Sequence, residues 1–156
     1  MAGKHIPHHI LAVDALVINQ NGDVLMIDSP KRGWEFPGGQ IEPGESISQA
    51  IRREVLEEAR VDVKVERLIG IFHNVRANLV VIGLLCSHVS GEPGPSDESN
   101  NSEWVPREEV LTRPDSEFIH DRLKEMLDYE EKSVYQAYQN DPGGPDGYRL
   151  LESFDL

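Results

Sequence analysis

The chain has 156 residues, 38% of them hydrophobic and 28% charged, and its formal net charge is -13 at pH 7. This length and composition are typical of one soluble globular domain and argue against a disordered chain or a membrane protein. Because so acidic a surface repels phosphate backbones and anionic lipids, we expect no nucleic-acid partner and no membrane partner. No apolar stretch approaches the ~20 residues needed to span a bilayer and residues 1–10 lack the apolar region of a signal peptide, so we expect a cytoplasmic location. The single cysteine, Cys86, allows no disulfide within the chain and is expected to be a buried apolar side chain.

In the first half of the chain, apolar runs alternate with turn-forming residues. The predicted elements are strands over 10–18 and 24–27, a turn-rich connection over 31–39 and a helix over 46–59. Asn21-Gly22 between the two apolar runs is a strong signal for a β-hairpin. Ser46 is a good helix N-cap residue and follows the turn at Pro43-Gly44, so it marks the start of the helix.

The second half continues the mixture of strands and helices. The predicted elements are strands over 61–72, 79–89 and 103–105, a polar loop over 91–102, and helical segments over 106–111 and 116–129. This mixture predicts an α/β or α+β sandwich. After Glu130 the pattern fades, so we predict a domain over 1–130 and a C-terminal tail over 131–156, docked or mobile. Tyr135 and Tyr138 in that tail are expected to serve in packing.

Three glutamates lie on one side of the predicted helix. Glu54, Glu57 and Glu58 stand at positions i, i+3 and i+4, so they fall within an arc of about 100°. The arc borders the apolar stripe that should pack inward, where three like charges repel each other. A hard divalent cation would offset that repulsion, and Mg²⁺ commonly bridges carboxylates and a substrate phosphate. The alternative is a solvated acidic face with ion pairs inside the helix.

The residues around this helix form a longer pattern that favours the metal site. A glycine is followed after five residues by a glutamate, and after seven more by an arginine-glutamate pair. An aliphatic residue, a glutamate pair and another aliphatic residue complete the series. The matching residues are Gly39, Glu45, Arg53, Glu54, Val55, Glu57, Glu58 and Val61. This pattern resembles the signature of the Nudix hydrolase family, and its six fixed identities would match by chance in about one chain in 10⁵ of this length.

The resemblance extends beyond the helix but has one departure. Phe36–Gly39 resembles the stretch that leads into the family signature, and 102–106 resembles a late strand and turn, so the likeness spans residues 10–129. It implies an α/β/α sandwich with a mixed β-sheet. Where the family has a glycine two residues after the glutamate pair, this chain has Arg60. Because arginine is strained in the left-handed conformation typical of that position, we expect the helix to end differently.

The family pattern implies a metal site on the helix. By resemblance, Glu54, Glu57 and Glu58 are the metal ligands, and the carbonyl of Gly39 is an additional one. The expected cofactor is Mg²⁺, with Mn²⁺ as an alternative.

The resemblance also assigns roles to the residues around the metal. Arg53 is expected to orient a carboxylate of the signature by ion pairing, and Glu45 is expected to support the metal-binding helix. The general base that accepts the proton of the attacking water is left open among Glu58, Glu57 and Glu103. Glu103 is included because it follows a polar loop.

Four residues are candidates for contact with the substrate. Arg32 would hold a phosphate, unless it belongs to a solvated turn. For Trp34 and Phe36, packing in the core is favoured, and stacking on a nucleobase is the alternative. Glu45 is placed with them because its side chain is expected to reach the metal through water.

The resemblance implies metal-dependent hydrolysis of a pyrophosphate bond in a nucleoside diphosphate linked to another moiety. The partner is then a small-molecule nucleotide, and a nucleotide sugar and a nucleoside triphosphate both remain open as substrates. A homodimer is a possible assembly. One alternative function is a non-catalytic, nucleotide-sensing domain of the same fold. Another is an RNA end-processing enzyme, which the acidic charge disfavours.

Overall fold

The computed structural model describes residues 4–156. In chain order the strands are β1 (Ile10–Ile18), β2 (Val24–Ser29), β3 (Gly33–Glu35), β4 (Gly38–Gln40), β5 (Asp62–Asn74), β6 (Leu79–Ser90), β7 (Asn101–Val105), β8 (Val134–Asp141) and β9 (Gly147–Asp155). The helices are α1 (Ile47–Ala59), α2 (Glu117–Leu127) and a short 3₁₀ helix (Arg107–Thr112). Across residues 4–156, neither α-helix has the length and apolar character needed to cross a membrane. The elements predicted up to residue 129 are present, whereas the short strands β3 and β4 were expected to be part of a connection.

The strands form one mixed sheet. Its order is β3-β2-β1-β6-β5-β8-β9, with β4 also pairing with β1 and β7 with β2. The β1–β6 and β5–β8 pairs are parallel, and the remaining pairs are antiparallel. The predicted hairpin joins β1 to β2, and Gly22 in its turn takes a φ of 82°. The mixed sheet confirms the predicted α+β class.

Strand β1 is buried on both faces because a helix covers each side of the sheet. Val13, Ala15 and Val17 pack in one core with α1, and Ala12 and Leu16 pack in the other core with α2. This alternation follows from the two-residue period of a strand, which sends successive side chains to opposite faces. Asp14 therefore lies on the α2 face, between two apolar side chains. The arrangement is the expected α/β/α sandwich.

Cys86 lies in the core on the α1 face, where it is 1% exposed. Burial raises the pKa of its thiol to about 12, so the sulfur stays protonated at neutral pH. The prediction of a buried apolar side chain is confirmed.

Residues after Glu130 belong to the central sheet. β8 pairs in parallel with β5, starting at Gly70 opposite Val134, and β9 pairs with β8 at the sheet edge. Of the two states expected for this segment, docked and mobile, the structure has the docked one. The sequence did not predict these strands, because polar residues interrupt their apolar alternation. Tyr138 is 5% exposed in the core with α2, as expected for a packing residue.

The ends of α1 combine one expected cap and one unexpected one. At the start, Ser46 Oγ accepts the N–H of Gln49 at 3.2 Å, and Gln49 Oε1 accepts the N–H of Ser46 at 2.8 Å. At the end, Arg60 takes the left-handed conformation, with φ 62° and ψ 24°, and its N–H donates to the Leu56 carbonyl. The expectation that the helix ends differently is therefore wrong. The chain turns back there at once, because Val61 is fully buried and β5 follows directly.

Replacing Arg60 by glycine is expected to raise the free energy of unfolding by about 0.5–1 kcal/mol, because glycine takes the left-handed conformation without strain. The Arg60 side chain is exposed, so little packing is lost. Urea denaturation in EDTA measures the change. Arg60→Ala is the matched control, because alanine removes the side chain but keeps the strain. An equal gain in both variants would show that the side chain, and not the backbone, is unfavourable.

Candidate functional site

Three carboxylates meet beside the second half of α1. Oxygens of Glu54, Glu57 and Glu98 all lie within 4.8 Å of one another, with Glu54 partly buried and the other two exposed. Glu54 and Glu57 were predicted at this site from their helical spacing. Glu98 was not, because it lies in the polar loop between β6 and β7. We call this group the carboxylate cluster. Three carboxylates at this spacing are a suitable donor set for a hard divalent cation.

Two serines fix the loop that carries Glu98. The hydroxyls of Ser96 and Ser99 both donate to the backbone carbonyl of Glu58, at 3.1 Å and 2.5 Å. The N–H of Glu98 donates to Ser96 Oγ at 3.1 Å, which forms a tight local turn. The loop is thus attached to the last turn of α1. The serines flanking Glu98 are visible in the sequence, but only the folded chain shows which carbonyl they bind.

Arg53 connects the cluster to the start of α1. Its Nε and Nη2 donate to the two oxygens of Glu45 at 2.6 Å and 3.0 Å. Its Nη1 donates to Glu54 at 2.7 Å and to Glu57 at 3.3 Å, and Nη2 also donates to the Gln40 carbonyl. The guanidinium lowers the pKa of Glu45 to about 2, so that carboxylate is ionised at neutral pH. Arg53 therefore holds two cluster carboxylates in place, and Glu45 holds Arg53.

The backbone of β4 approaches the cluster closely. A Cβ atom on Gly39 would lie 2.4–2.6 Å from three carboxylate atoms of Glu54, so a side chain at this position would displace that carboxylate. Partial burial raises the pKa of Glu54, and its ion pair with Arg53 opposes the shift. Glycine at position 39 thus makes room for the Glu54 carboxylate. Metal ligation by the Gly39 carbonyl stays a prediction.

Glu58 lies beside the cluster but has a different environment. Its Oε2 accepts the N–H of Gly38 at 3.0 Å. Burial, together with the nearby carboxylate of Glu54, raises the pKa of Glu58 from an ordinary value of 4.5 to about 8, although the hydrogen bond from Gly38 opposes the shift. Glu58 is not among the three residues whose oxygens meet, although it lines the same cleft. Without a bound cation, this carboxyl is largely protonated at neutral pH.

A pH-dependent stability follows from Glu58. Because folding raises the pKa of Glu58, its contribution to the free energy of unfolding is greatest below about pH 4.5. This contribution is lost as the pH rises through about 8. Glu58→Gln mimics the protonated form and keeps an acceptor for Gly38. We expect this variant in EDTA to exceed the wild-type free energy of unfolding by roughly 2–4 kcal/mol at pH 8.5 and to match it near pH 4.5. Urea denaturation at both pH values tests this, with the exposed Glu131→Gln as control. A constant difference at both pH values would contradict it.

A cleft of about 530 Å³ opens beside the cluster. Arg32 lines it and donates to both oxygens of Glu35 at 2.9 Å and 2.8 Å. Phe36 also lines the cleft but is 2% exposed, so it packs mainly in the core. Trp34 is not among the lining residues. It packs against the core with the guanidinium of Arg113 over its ring, 5.0 Å from the centroid.

The third candidate for the general base lies elsewhere. Glu103 is in β7 and forms an ion pair with Arg113, whose guanidinium also covers Trp34. It belongs neither to the carboxylate cluster nor to the cleft lining. The structure therefore brings Glu57 and Glu58 to the site but not Glu103. The acidic residue that the loop supplies is Glu98.

The end of the cleft next to α2 contains a buried ion pair. Arg122 and Asp14 are each 9% exposed, and Arg122 Nε lies 2.9 Å from Asp14 Oδ2. Burial raises the pKa of Asp14, while the charge of Arg122 opposes the shift. The spacing of residues in α2 indicates that Arg122 is buried, although the helix prediction did not use it. Arg122 stands three residues after Ile119 and four before Met126, so it occupies the buried stripe of α2.

Comparison with known proteins identifies similar chains. A family model described as the NUDIX domain matches residues 8–127. A MutT-like protein from Streptomyces ambofaciens is 32% identical over 123 residues, which cover 78% of this chain and 79% of that protein. An ADP-ribose pyrophosphatase from Methanocaldococcus jannaschii is 27% identical over 124 residues, covering 74% and 71%. The crystal structure of a MutT protein from Bacillus halodurans superimposes with a TM-score of 0.73 at 25% identity, covering 94% of this chain and 97% of that one.

Proposed function

This chain belongs to the Nudix family as a pyrophosphohydrolase, and we propose that it hydrolyses the pyrophosphate bond of a nucleoside diphosphate derivative with a divalent cation held by Glu54, Glu57 and Glu98. The observation that carries the proposal is the carboxylate cluster, whose oxygens lie within 4.8 Å of one another beside the cleft. Arg53 reaches only two of these three residues, so the cluster retains negative charge. Mg²⁺ fits this donor set, because it prefers carboxylate oxygens and keeps coordination positions for water and phosphate.

The surrounding residues suit a phosphate ligand only when a cation is present. Besides the cluster, Glu35 and Glu58 line the cleft, so its cluster end repels anions by itself. A bound divalent cation reverses that local sign and stabilises charge on phosphoryl oxygens. Arg32 lines the same cleft, is fixed by Glu35, and has a further terminal nitrogen for a phosphate oxygen. We assign phosphate binding to Arg32 on this basis.

Glu58 is the proposed general base. It lines the cleft next to Glu54, and a cation bound at the cluster would favour its ionised form, which is the form that accepts a proton. In the proposed step, a water oxygen attacks one phosphorus atom of the pyrophosphate linkage. The bond from that phosphorus to the bridging oxygen breaks, and the water's proton passes to Glu58. Glu57 is better suited to hold the cation, because its carboxylate belongs to the cluster and is exposed.

The proposal is tested with a panel of nucleotides. ADP-ribose, the four deoxynucleoside triphosphates, nucleotide sugars and dinucleoside polyphosphates are each incubated with Mg²⁺ and with EDTA, and release of phosphate, pyrophosphate and nucleoside monophosphate is measured. We expect turnover of at least one substrate in Mg²⁺ and none in EDTA. Glu58→Gln should bind Mg²⁺ normally but turn over slowly, which separates a base from a ligand. Turnover that persists in EDTA would contradict the metal dependence.

A non-catalytic nucleotide sensor is the alternative that this panel addresses. A protein that binds Mg²⁺ and a nucleotide in calorimetry, but releases no product from any member, would have that function instead. The three carboxylates of the cluster favour the enzyme, because a sensor has no need to keep a charge-repelling metal site.

A further inference from the structure

The ion pair at the α2 end of the cleft is unusual for its position. Every other buried residue of α2 is apolar, and an arginine in such a stripe costs free energy unless its charge and its donors are satisfied. Asp14 neutralises the charge of Arg122 across 2.9 Å. However, the Nε–H of Arg122 is not directed at that oxygen and makes no hydrogen bond among residues 4–156. A guanidinium carries five N–H donors, so the Asp14 carboxylate and the neighbouring Tyr138 hydroxyl leave donors for another acceptor.

The surroundings of Arg122 decide which kind of acceptor fits. Leu79, Val81, Phe118 and Tyr138 line the cleft and pack in the core with α2, whereas Glu54 and Glu57 of the cluster lie on α1, which covers the opposite face of the sheet. Asp14 makes the pair neutral overall, so this end does not attract an additional phosphate. Apolar and aromatic walls with one polar group suit a flat, uncharged heterocycle. With phosphates at the cluster end, the group that reaches Arg122 is the nucleobase.

We infer that Arg122, held by Asp14, determines base specificity, and that it selects a nucleobase presenting a carbonyl where adenine or cytosine presents an amino group. A guanidinium only donates, so it pairs with a carbonyl oxygen and, in a purine, also with the accepting ring nitrogen N7. An amino group at the same place would set donor against donor in a buried site and leave both unpaired. This inference rests on the proposed function, because it takes the orientation of the nucleotide from the phosphate end.

Nucleosides test the base site separately from hydrolysis. Inosine has a carbonyl where adenosine has an amino group, and its neighbouring ring nitrogen carries a proton where that of adenosine accepts one. Uridine and cytidine differ in the same way. Dissociation constants of the four are measured in EDTA by NMR titration. We expect each carbonyl nucleoside to bind about tenfold or more tightly than its amino counterpart. Equal binding within either pair, or no binding by any of the four at millimolar concentration, would overturn the inference.

Two variants assign the preference to Arg122 while keeping the protein folded. Arg122→Lys keeps the charge that Asp14 needs but loses the planar set of donors. The ratio of dissociation constants within each nucleoside pair should therefore fall to about one. The double variant Asp14→Asn, Arg122→Met removes both charges together and leaves no buried charge unpaired. It should also bind both members of each pair equally. A preference retained in both variants would show that another group reads the base.

The outcomes separate this inference from the proposed function. Hydrolysis of nucleotides without any base preference would overturn the role of Arg122 and leave the proposed function standing. A base preference in the nucleoside titrations, without hydrolysis of any nucleotide in Mg²⁺, would support the base site and overturn the proposed activity.

Discussion

Replacing Glu57 by glutamine is expected to lower magnesium-dependent hydrolysis about a thousandfold or more while leaving the protein folded. The side chain of Glu57 is 42% exposed, and among residues 4–156 its one ion-pair contact is with Arg53 at 3.3 Å, so the fold depends little on it. Its carboxylate is nevertheless one of three whose oxygens meet at the proposed cation site. A metal ion contributes several kcal/mol of transition-state stabilisation, and about 1.36 kcal/mol corresponds to a tenfold change in rate. Removing a ligand charge therefore has a large effect on turnover.

Two further measurements make the result specific. Calorimetric titration with Mg²⁺ should show weaker binding in Glu57→Gln and also in Glu98→Gln, because both carboxylates belong to the cluster. Glu131→Gln makes the same chemical change at an exposed position and should behave as the wild type. In EDTA, the free energy of unfolding of Glu57→Gln should be unchanged or slightly raised, since one like charge is gone. Full activity in Glu57→Gln would refute its assignment as a ligand.

Replacing Arg53 by lysine is expected to lower both the Mg²⁺ affinity and kcat/KM by about 10–100-fold, a typical effect for residues that orient metal ligands. Arg53 reaches Glu45, Glu54 and Glu57 at once through three nitrogens in a fixed plane. A lysine keeps the charge but offers one compact ammonium group, so it cannot hold all of these carboxylates in their present geometry. Arg53 is thus a positioning residue, because it acts through the carboxylates of the cluster.

The neighbouring arginine provides a matched control. Arg52 also lies on α1, but it is exposed and pairs with Asp62 at 3.1 Å, away from the cluster. Arg52→Lys should leave Mg²⁺ affinity and kcat/KM unchanged. If Arg53 orients the ligands, excess Mg²⁺ should restore part of the lost activity in Arg53→Lys. A loss of activity at unchanged Mg²⁺ affinity would instead indicate that Arg53 contacts the substrate itself.

Most of the fold could be predicted because its signals are local. The apolar run of β1, the Asn21-Gly22 turn and the Ser46 cap each act over a few residues, and the structure has all three where they were expected. The strands β8 and β9 could not be predicted in this way. β8 is stabilised by pairing with β5, which is distant in the chain, and β9 by pairing with β8, while the sequence of both strands alternates only weakly. Burial of Tyr138 against α2 is therefore a consequence of pairing.

In the candidate site too, some features follow from local spacing and others depend on contacts between distant segments. Helical periodicity by itself placed Glu54 and Glu57 on one side of α1, because residues three apart always share a helix face. It also grouped Glu58 with them, but the approach of β4 gives Glu58 a separate partner, the Gly38 N–H. That difference in burial and hydrogen bonding could not be read from spacing. Likewise, the family signature fixed Arg53 as an ion-pairing residue, and the folded chain showed which carboxylates it reaches.

The sequence by itself determined the family, the fold class and the acidic face of α1, since these depend on residue identity and on periodicities of a few residues. Only the tertiary structure decided that Glu98, and not Glu103, completes the cluster, because that depends on two serine hydroxyls binding a carbonyl about 40 residues earlier in the chain. It likewise decided that Arg122 meets Asp14 inside the cleft, because β1 and α2 are brought together only by packing across the sheet. Contacts between distant segments depend on the whole core, and no local pattern specifies them.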